Sequence, residues 1–226
     1  MKLRTIFLLI LCFTSCSKPT ADESAVRMLA ERIVPDYSSG LVFRQMEDSV
    51  DVFELYSEDG KVVICGNNAN SMAVGLNHYL KNHCGVTVSW YADEPVEYPS
   101  VMPSVDVPVR VEARVKERFF LNYCTFGYTM PWWKWEDWER LIDWMALNGV
   151  TMPLATTGQE AVWQKVWRSH GLTDEEIRSY FTGPAHLAWH RMSNIDGFDG
   201  PLPQGWIDAQ VELQKKILER ERSLNM

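Results

Sequence analysis

Residues 118–156 read RFFLNYCTFGYTMPWWKWEDWERLIDWMALNGVTMPLAT, and the rhythm of this stretch sets the fold class. Residues 118–124 form an apolar, β-rich run that ends in polar and aromatic side chains. Over 135–148, Trp135, Trp138, Leu141, Ile142 and Met145 fall on one helical stripe, and Gly149 closes the helix. Residues 150–156 return to an apolar strand. Strand, helix and strand without a hairpin turn is the opening of a parallel α/β fold. Glu139 and Asp143, four apart and flanking Arg140, read as a solvated helix face.

Downstream, residues 160–169 make a further helix closed by Gly171, and Thr173-Asp174-Glu175-Glu176 is a capping box opening a short one. An insertion therefore follows the second strand. Trp206, Gln210, Leu213, Ile217 and Leu224 stripe a long helix from about Pro203 to the last residue. Upstream, prolines at 95, 99, 103 and 108 forbid a helix and mark residues 92–113 as an extended linker. Before it, residues 25–91 read as a small α/β domain. Val26, Leu29, Ala30 and Ile33 form a helix stopped by Pro35, and strands are expected at 41–46, 51–57 and 61–65. Asp59-Gly60 joins the last two as a hairpin. Met72, Leu76, Tyr79 and Leu80 mark a second helix, and 86–90 is expected to be another strand. A module of this size can bury a modest core of its own.

Residues 1–15 carry the positive start and short apolar run of an export signal, well below the roughly 20 apolar residues a spanning helix needs. Thr14 and Ser15 lead into Cys16 as in a bacterial lipobox, so Cys16 is the expected lipidation site and 16–24 a flexible tether. An ordinary signal peptide with an incidental cysteine is the alternative. The expected location is the cell envelope, periplasmic or at the cell surface, with membrane contact through the lipid only. Removal of residues 1–15 takes away Lys2 and Arg4 and no acid, moving the formal charge from −8 to −10. Such acidity argues against nucleic acid as a partner. With Cys16 lipidated, Cys65, Cys84 and Cys124 remain, an odd number, so at least one stays outside any intramolecular disulfide. The ten Trp are concentrated in the second half of the chain.

Two strand ends offer chemistry: Asn122 to Tyr128, and Thr156-Thr157-Gly158-Gln159-Glu160. Polar groups converging with aromatics are what a sugar pocket requires, since hydroxyls need oriented hydrogen bonds and C–H faces need flat apolar surface. Cys124 as a nucleophile would need a base and a lowered pKa that no motif supplies, and packing is the simpler reading. His186 and His190 are four apart but lack the glutamate of a zinc-protease helix, so a packing role is expected and no metal. Glu160 is either a substrate contact or the acidic first turn of the next helix. No catalytic pair and no cofactor are expected in the chain.

The motifs Asn122-Tyr123-Cys124-Thr125, Trp132-Trp133, Trp138-Glu139, Ile142 to Gly149, Gly158-Gln159-Glu160-Ala161, Phe181 to Ala185, Leu187-Ala188-Trp189 and Asp199 to Pro203 closely resemble α-N-acetylglucosaminidases of glycoside hydrolase family 89. The resemblance is dense over 114–226 and looser over 24–110. It implies a (β/α)8-type catalytic domain, of which 114–226 would be the first part. It also implies removal of terminal α-linked N-acetylglucosamine with retention, by an acid/base and a nucleophilic glutamate lying further along the family's chain. Asn122, Cys124 and Trp189 match its sugar-pocket positions, and Gln159 and Glu160 are the further substrate-binding candidates. Residues 126–131, His186 and His190 depart from the family's pattern. A (β/α)8 barrel takes ~250 residues. The expectation is therefore a truncated glycosidase, and the alternative is a non-catalytic surface glycan-binding lipoprotein.

Overall fold

The computed structural model describes residues 18–92, 97–195 and 201–226. The expected leader, Cys16, Asp199 and Gly200 lie outside them. The first unit is a four-stranded sheet with two helices. Helix α1 (Ala21–Ile33) opens on a capping box in which Thr20 accepts from Glu23 N and Glu23 accepts from Thr20 N. Strands β1 (Leu41–Gln45), β2 (Val52–Glu58), β3 (Lys61–Gly66) and β4 (Val109–Glu112) lie in the order β1-β3-β2-β4, with β1 parallel to β3 and the other pairs antiparallel. The β2–β3 turn is the expected hairpin, with Asp59 at φ 52° and Gly60 at φ 74°, the left-handed pair that an Asp-Gly turn accommodates. Helix α2 (Ala69–Asn82) follows β3 and packs on the sheet.

Two sequence expectations fail here. Residues 86–90 form no strand. Val86 is instead buried as a plug, with Val88 and Trp90 leaning on the core. The fourth strand comes from within the stretch read as linker: β4 follows Pro108 and pairs with β2 as an edge strand, the place where a preceding proline costs no ladder bond.

The second unit begins at β5 (Phe119–Phe120), which pairs in parallel with β6 (Met152–Pro153) across helix α3 (Trp135–Leu147). Both strands are shorter than the sequence suggests. Leu121 stands at φ 74°, a left-handed conformation uncommon for a leucine, and this ends β5 after two residues. Phe120 packs on Trp144 of α3, so the register partners Phe119 and Met152 point to the opposite face, where both are exposed. Helices α4 (Gln159–Ser169), α5 (Asp174–Tyr180) and α6 (Leu187–Arg191) form the insertion, and α7 (Gln204–Ser223) returns against α3. The chain thus contains the first β/α units of a TIM-like barrel and no closed barrel among the described residues.

The two units share one core. Leu29, Ile64 and Leu76 of the first belong to the same buried cluster as Leu141, Met145, Ile217 and Leu224 of the second, each at most 2% exposed. Each such side chain withdrawn from water stabilises by about 1.5–3 kcal/mol. The first module's core is therefore not closed on itself, contrary to the sequence reading. Polar pairs cross the same seam. Asn70 Nδ2 donates to Val150 O at 2.9 Å and Asn77 Nδ2 to Leu147 O at 2.7 Å, while Asn225 Oδ1 accepts from Ala69 N at 2.9 Å at the start of α2.

Asp143, expected on a solvated face, is 2% exposed. Arg32 of α1 grips it with two bonds of 2.7 and 2.9 Å, and Arg220 of α7 adds a third of 2.8 Å. One carboxylate thus ties α1, α3 and α7 together. Burial pushes it up to about 7, against the opposing pull of the Arg32 guanidinium.

Candidate functional site

The site lies beyond the C-terminal ends of β5 and β6. The left-handed Leu121 throws the chain out of β5 into a 3-10 turn over Tyr123–Gly127, and Asn122 caps it, its Oδ1 accepting from Thr125 N at 3.2 Å. The Asn122 side-chain oxygen is thereby committed, on a residue that is exposed. Cys124, two positions on, is a half-buried free thiol.

Trp189 sits on α6, which packs against that turn. Its six-membered ring lies over Gly127, where an added Cβ would fall inside the indole, 2.7 Å from Cη2. Glycine is required there by the approach of the ring and not by its backbone angle. The Tyr128 ring meets Trp189 edge-on, with centroids 5.6 Å apart and planes at 81°, and His186 lies 6.2 Å away on another side. The structure therefore packs the helix of Trp189 on the turn that Asn122 caps and that contains Cys124.

Gln159 and Glu160, at the end of β6, go elsewhere. Gln159 opens α4 and lines a neighbouring groove of about 630 Å³ with Tyr123, Thr156, Trp163 and Gln214. Thr156 Oγ1 and both amide atoms of Gln214 make no hydrogen bond among the described residues. Glu160 is 2% exposed, and Arg191 engages both its oxygens, Nε to Oε1 at 2.8 Å and Nη2 to Oε2 at 2.9 Å. Of the two sequence readings, the acidic first turn of the next helix describes its place, and the enclosure by Arg191 is what the sequence did not show. Arg191 thus bears on the site, and nothing in its local spacing reveals it, whereas Gly127 and Tyr128 lie within the strand end that the sequence singles out.

The two histidines do not converge. His190 is 4% exposed in a cage of Trp163, Tyr180 and Phe181, and burial lowers its pKa, with Arg191 adding to the effect, so it is neutral at pH 7. Among the described residues no group of three His, Cys, Asp or Glu side chains could hold a metal ion.

The α-N-acetylglucosaminidase TIM-barrel domain matches residues 118–226, and the α-N-acetylglucosaminidase N-terminal domain matches residues 24–104. The chain belongs to glycoside hydrolase family 89. Human α-N-acetylglucosaminidase is 43% identical over 166 residues, which are 74% of this chain and 22% of the human protein. The family 89 glycoside hydrolase from Clostridium perfringens, in complex with 2-acetamido-1,2-dideoxynojirmycin, superposes with a TM-score of 0.87 at 36% identity, covering 91% of this chain and 24% of that one. The Clostridium perfringens family 89 enzyme in complex with its substrate GlcNAc-alpha-1,4-galactose superposes with a TM-score of 0.86 at 36% identity, with the same coverage. The chain therefore spans about a quarter of the length of these family 89 relatives. Within that quarter lie the N-terminal domain and the first two strand ends of the barrel.

Proposed function

We propose that the chain forms one wall of a pocket for terminal α-linked N-acetylglucosamine, in an exo-acting glycosidase that works with retention. The observation that carries this reading is the Trp189 indole held against the turn at the β5 strand end that Asn122 caps and that contains Cys124. An indole offers the flat face that sugar C–H groups pack on, and the amide offers donors for a hydroxyl or acetamido oxygen. Cys124 is a small polarizable contact rather than a nucleophile.

Retaining hydrolysis uses two carboxyls about 5–5.5 Å apart, one as acid/base and one as nucleophile. Among the described residues the two strand ends carry one carboxylate, Glu160, and it is enclosed against Arg191. The contribution of this chain is thus recognition and orientation. A non-catalytic glycan-binding protein is the second reading.

A hybrid separates the two. Joined to the remaining barrel segments of the Clostridium perfringens enzyme, the chain is expected to support hydrolysis of an aryl α-N-acetylglucosaminide with the α-anomer as first product by NMR. Sugar binding without hydrolysis would support the second reading, and a β-anomer would overturn retention.

Lipidation at Cys16 and placement in the cell envelope are part of the same proposal, resting on the short apolar run before that cysteine. No helix among the described residues is long and apolar enough to cross a membrane. Labelled fatty acid is expected to enter the protein and to be absent from Cys16→Ser; equal labelling of both would remove the anchor.

A further inference from the structure

The Glu160–Arg191 pair joins two segments that the rest of the site keeps apart. Glu160 stands in the first turn of α4, in the segment that follows β6, and Arg191 is the last residue of α6. Both side chains are nearly closed to solvent, 2% and 6% exposed, and three contacts of 2.7 to 2.9 Å make a bidentate fork. Helix α6 has five residues, too few to hold an orientation by its own backbone bonds. Its position is set from two sides. On one side Trp189 lies on Gly127 of the β5 turn; on the other Arg191 is pinned to the β6 end.

Elsewhere the helix has apolar support, since Leu187 packs in the small cluster of Ile177, Phe181, Leu202 and Ile207. That packing fixes how deep α6 sits, but an apolar contact is non-directional and leaves its rotation about its own axis to be set by groups with defined geometry. The fork supplies such geometry two residues from the indole. The absence of a Cβ at Gly127 permits the orientation so chosen.

We propose that Glu160 and Arg191 are positioning residues for sugar recognition, setting the angle of the Trp189 face through α6, with Gly127 as the complementary clearance. This rests on the reading of Trp189 as a wall of the N-acetylglucosamine pocket. It gives Glu160 a part in recognition without contact with the sugar.

The full chain labelled with 5-fluorotryptophan tests it, with the Trp189 signal assigned by its loss in Trp189→Phe. Glu160→Gln keeps the shape and removes the charge, and Arg191→Lys keeps the charge and removes the fork. Gly127→Ala displaces the ring from the other side. Each is expected to shift the Trp189 fluorine resonance and to weaken N-acetylglucosamine binding by about tenfold or more, the scale at which misplacement of a positioning contact is felt. A pair that serves only stability would lower the melting temperature and leave that resonance in place. An unmoved resonance in folded Glu160→Gln, or in Arg191→Lys should the first fail to fold, overturns the proposal. The reading beneath it fails separately, if N-acetylglucosamine leaves the Trp189 resonance of the unsubstituted chain unchanged.

Discussion

Asp143 illustrates what a local pattern cannot convey. Glu139 and Asp143 flanking Arg140 have the spacing of an exposed ion-pair face, and that spacing is identical whether the face meets water or protein. The deciding partners, Arg32 and Arg220, lie 111 and 77 residues away in the chain. Glu160 repeats the lesson, with its arginine 31 residues distant. Removing Asp143 would leave two guanidiniums facing each other, Arg220 almost closed to solvent. Asp143→Ala is therefore expected to lower the unfolding free energy by about 3–5 kcal/mol in denaturant titration, the usual loss when one partner of a buried pair is deleted. A loss below about 1 kcal/mol would place the interaction with ordinary surface pairs. At Trp189 the same scale gives a functional expectation: Trp189→Ala abolishes N-acetylglucosamine-induced changes in the spectrum of the chain while its melting temperature stays close to that of the parent.

The helices were legible because each carries its own signals. Thr173 and Glu176 cap α5 by the reciprocal bonds their spacing implies, and Gly149 follows the end of α3 in a left-handed conformation. Strands were less legible. A ladder needs a partner that the local text does not name, so β4 hid among prolines and the apolar run at 86–90 was free to pack without pairing. Helix α7 carries a testable oddity. Glu221 is 5% exposed, and burial pushes its carboxyl up to about 7, with Arg222 pulling the other way. A folded value above the ordinary 4.5 means that the fold holds an extra proton between those limits. Its contribution to stability is thus fully present below about pH 4.5 and is lost as pH rises through about 7. Glu221→Gln is expected to raise unfolding free energy by about 1–3 kcal/mol at pH 8 and to change it little at pH 4.5. A difference that stays constant over that range would show that the carboxyl is not held protonated in the fold.

At the scale of the molecule, the division into a small domain, a linker and a partial barrel describes the text better than the packing. Residues 25–91 do read as a unit, but α2 turns Asn70, Val74 and Asn77 toward the end of α3 and the residues after it, and the buried cluster runs through both units. Excised alone, residues 18–113 would expose that seam. Their thermal unfolding by circular dichroism is expected to be broad and to lie well below the transition of the whole chain. A sharp transition at the same temperature would mean that the first unit stands by itself.

The continuity of that core also bears on how the protein comes into being. A chain emerges from the ribosome front first, and a self-sufficient leading domain can fold before the rest is made. Here the seam face of α2 has no cover until α3 has been translated, and α3 gains its Arg220 contact only near the end of α7. The nascent front half must therefore wait, partly open, through the synthesis of about a hundred further residues. Over that interval the seam face of α2 and the buried faces it meets stay open to water.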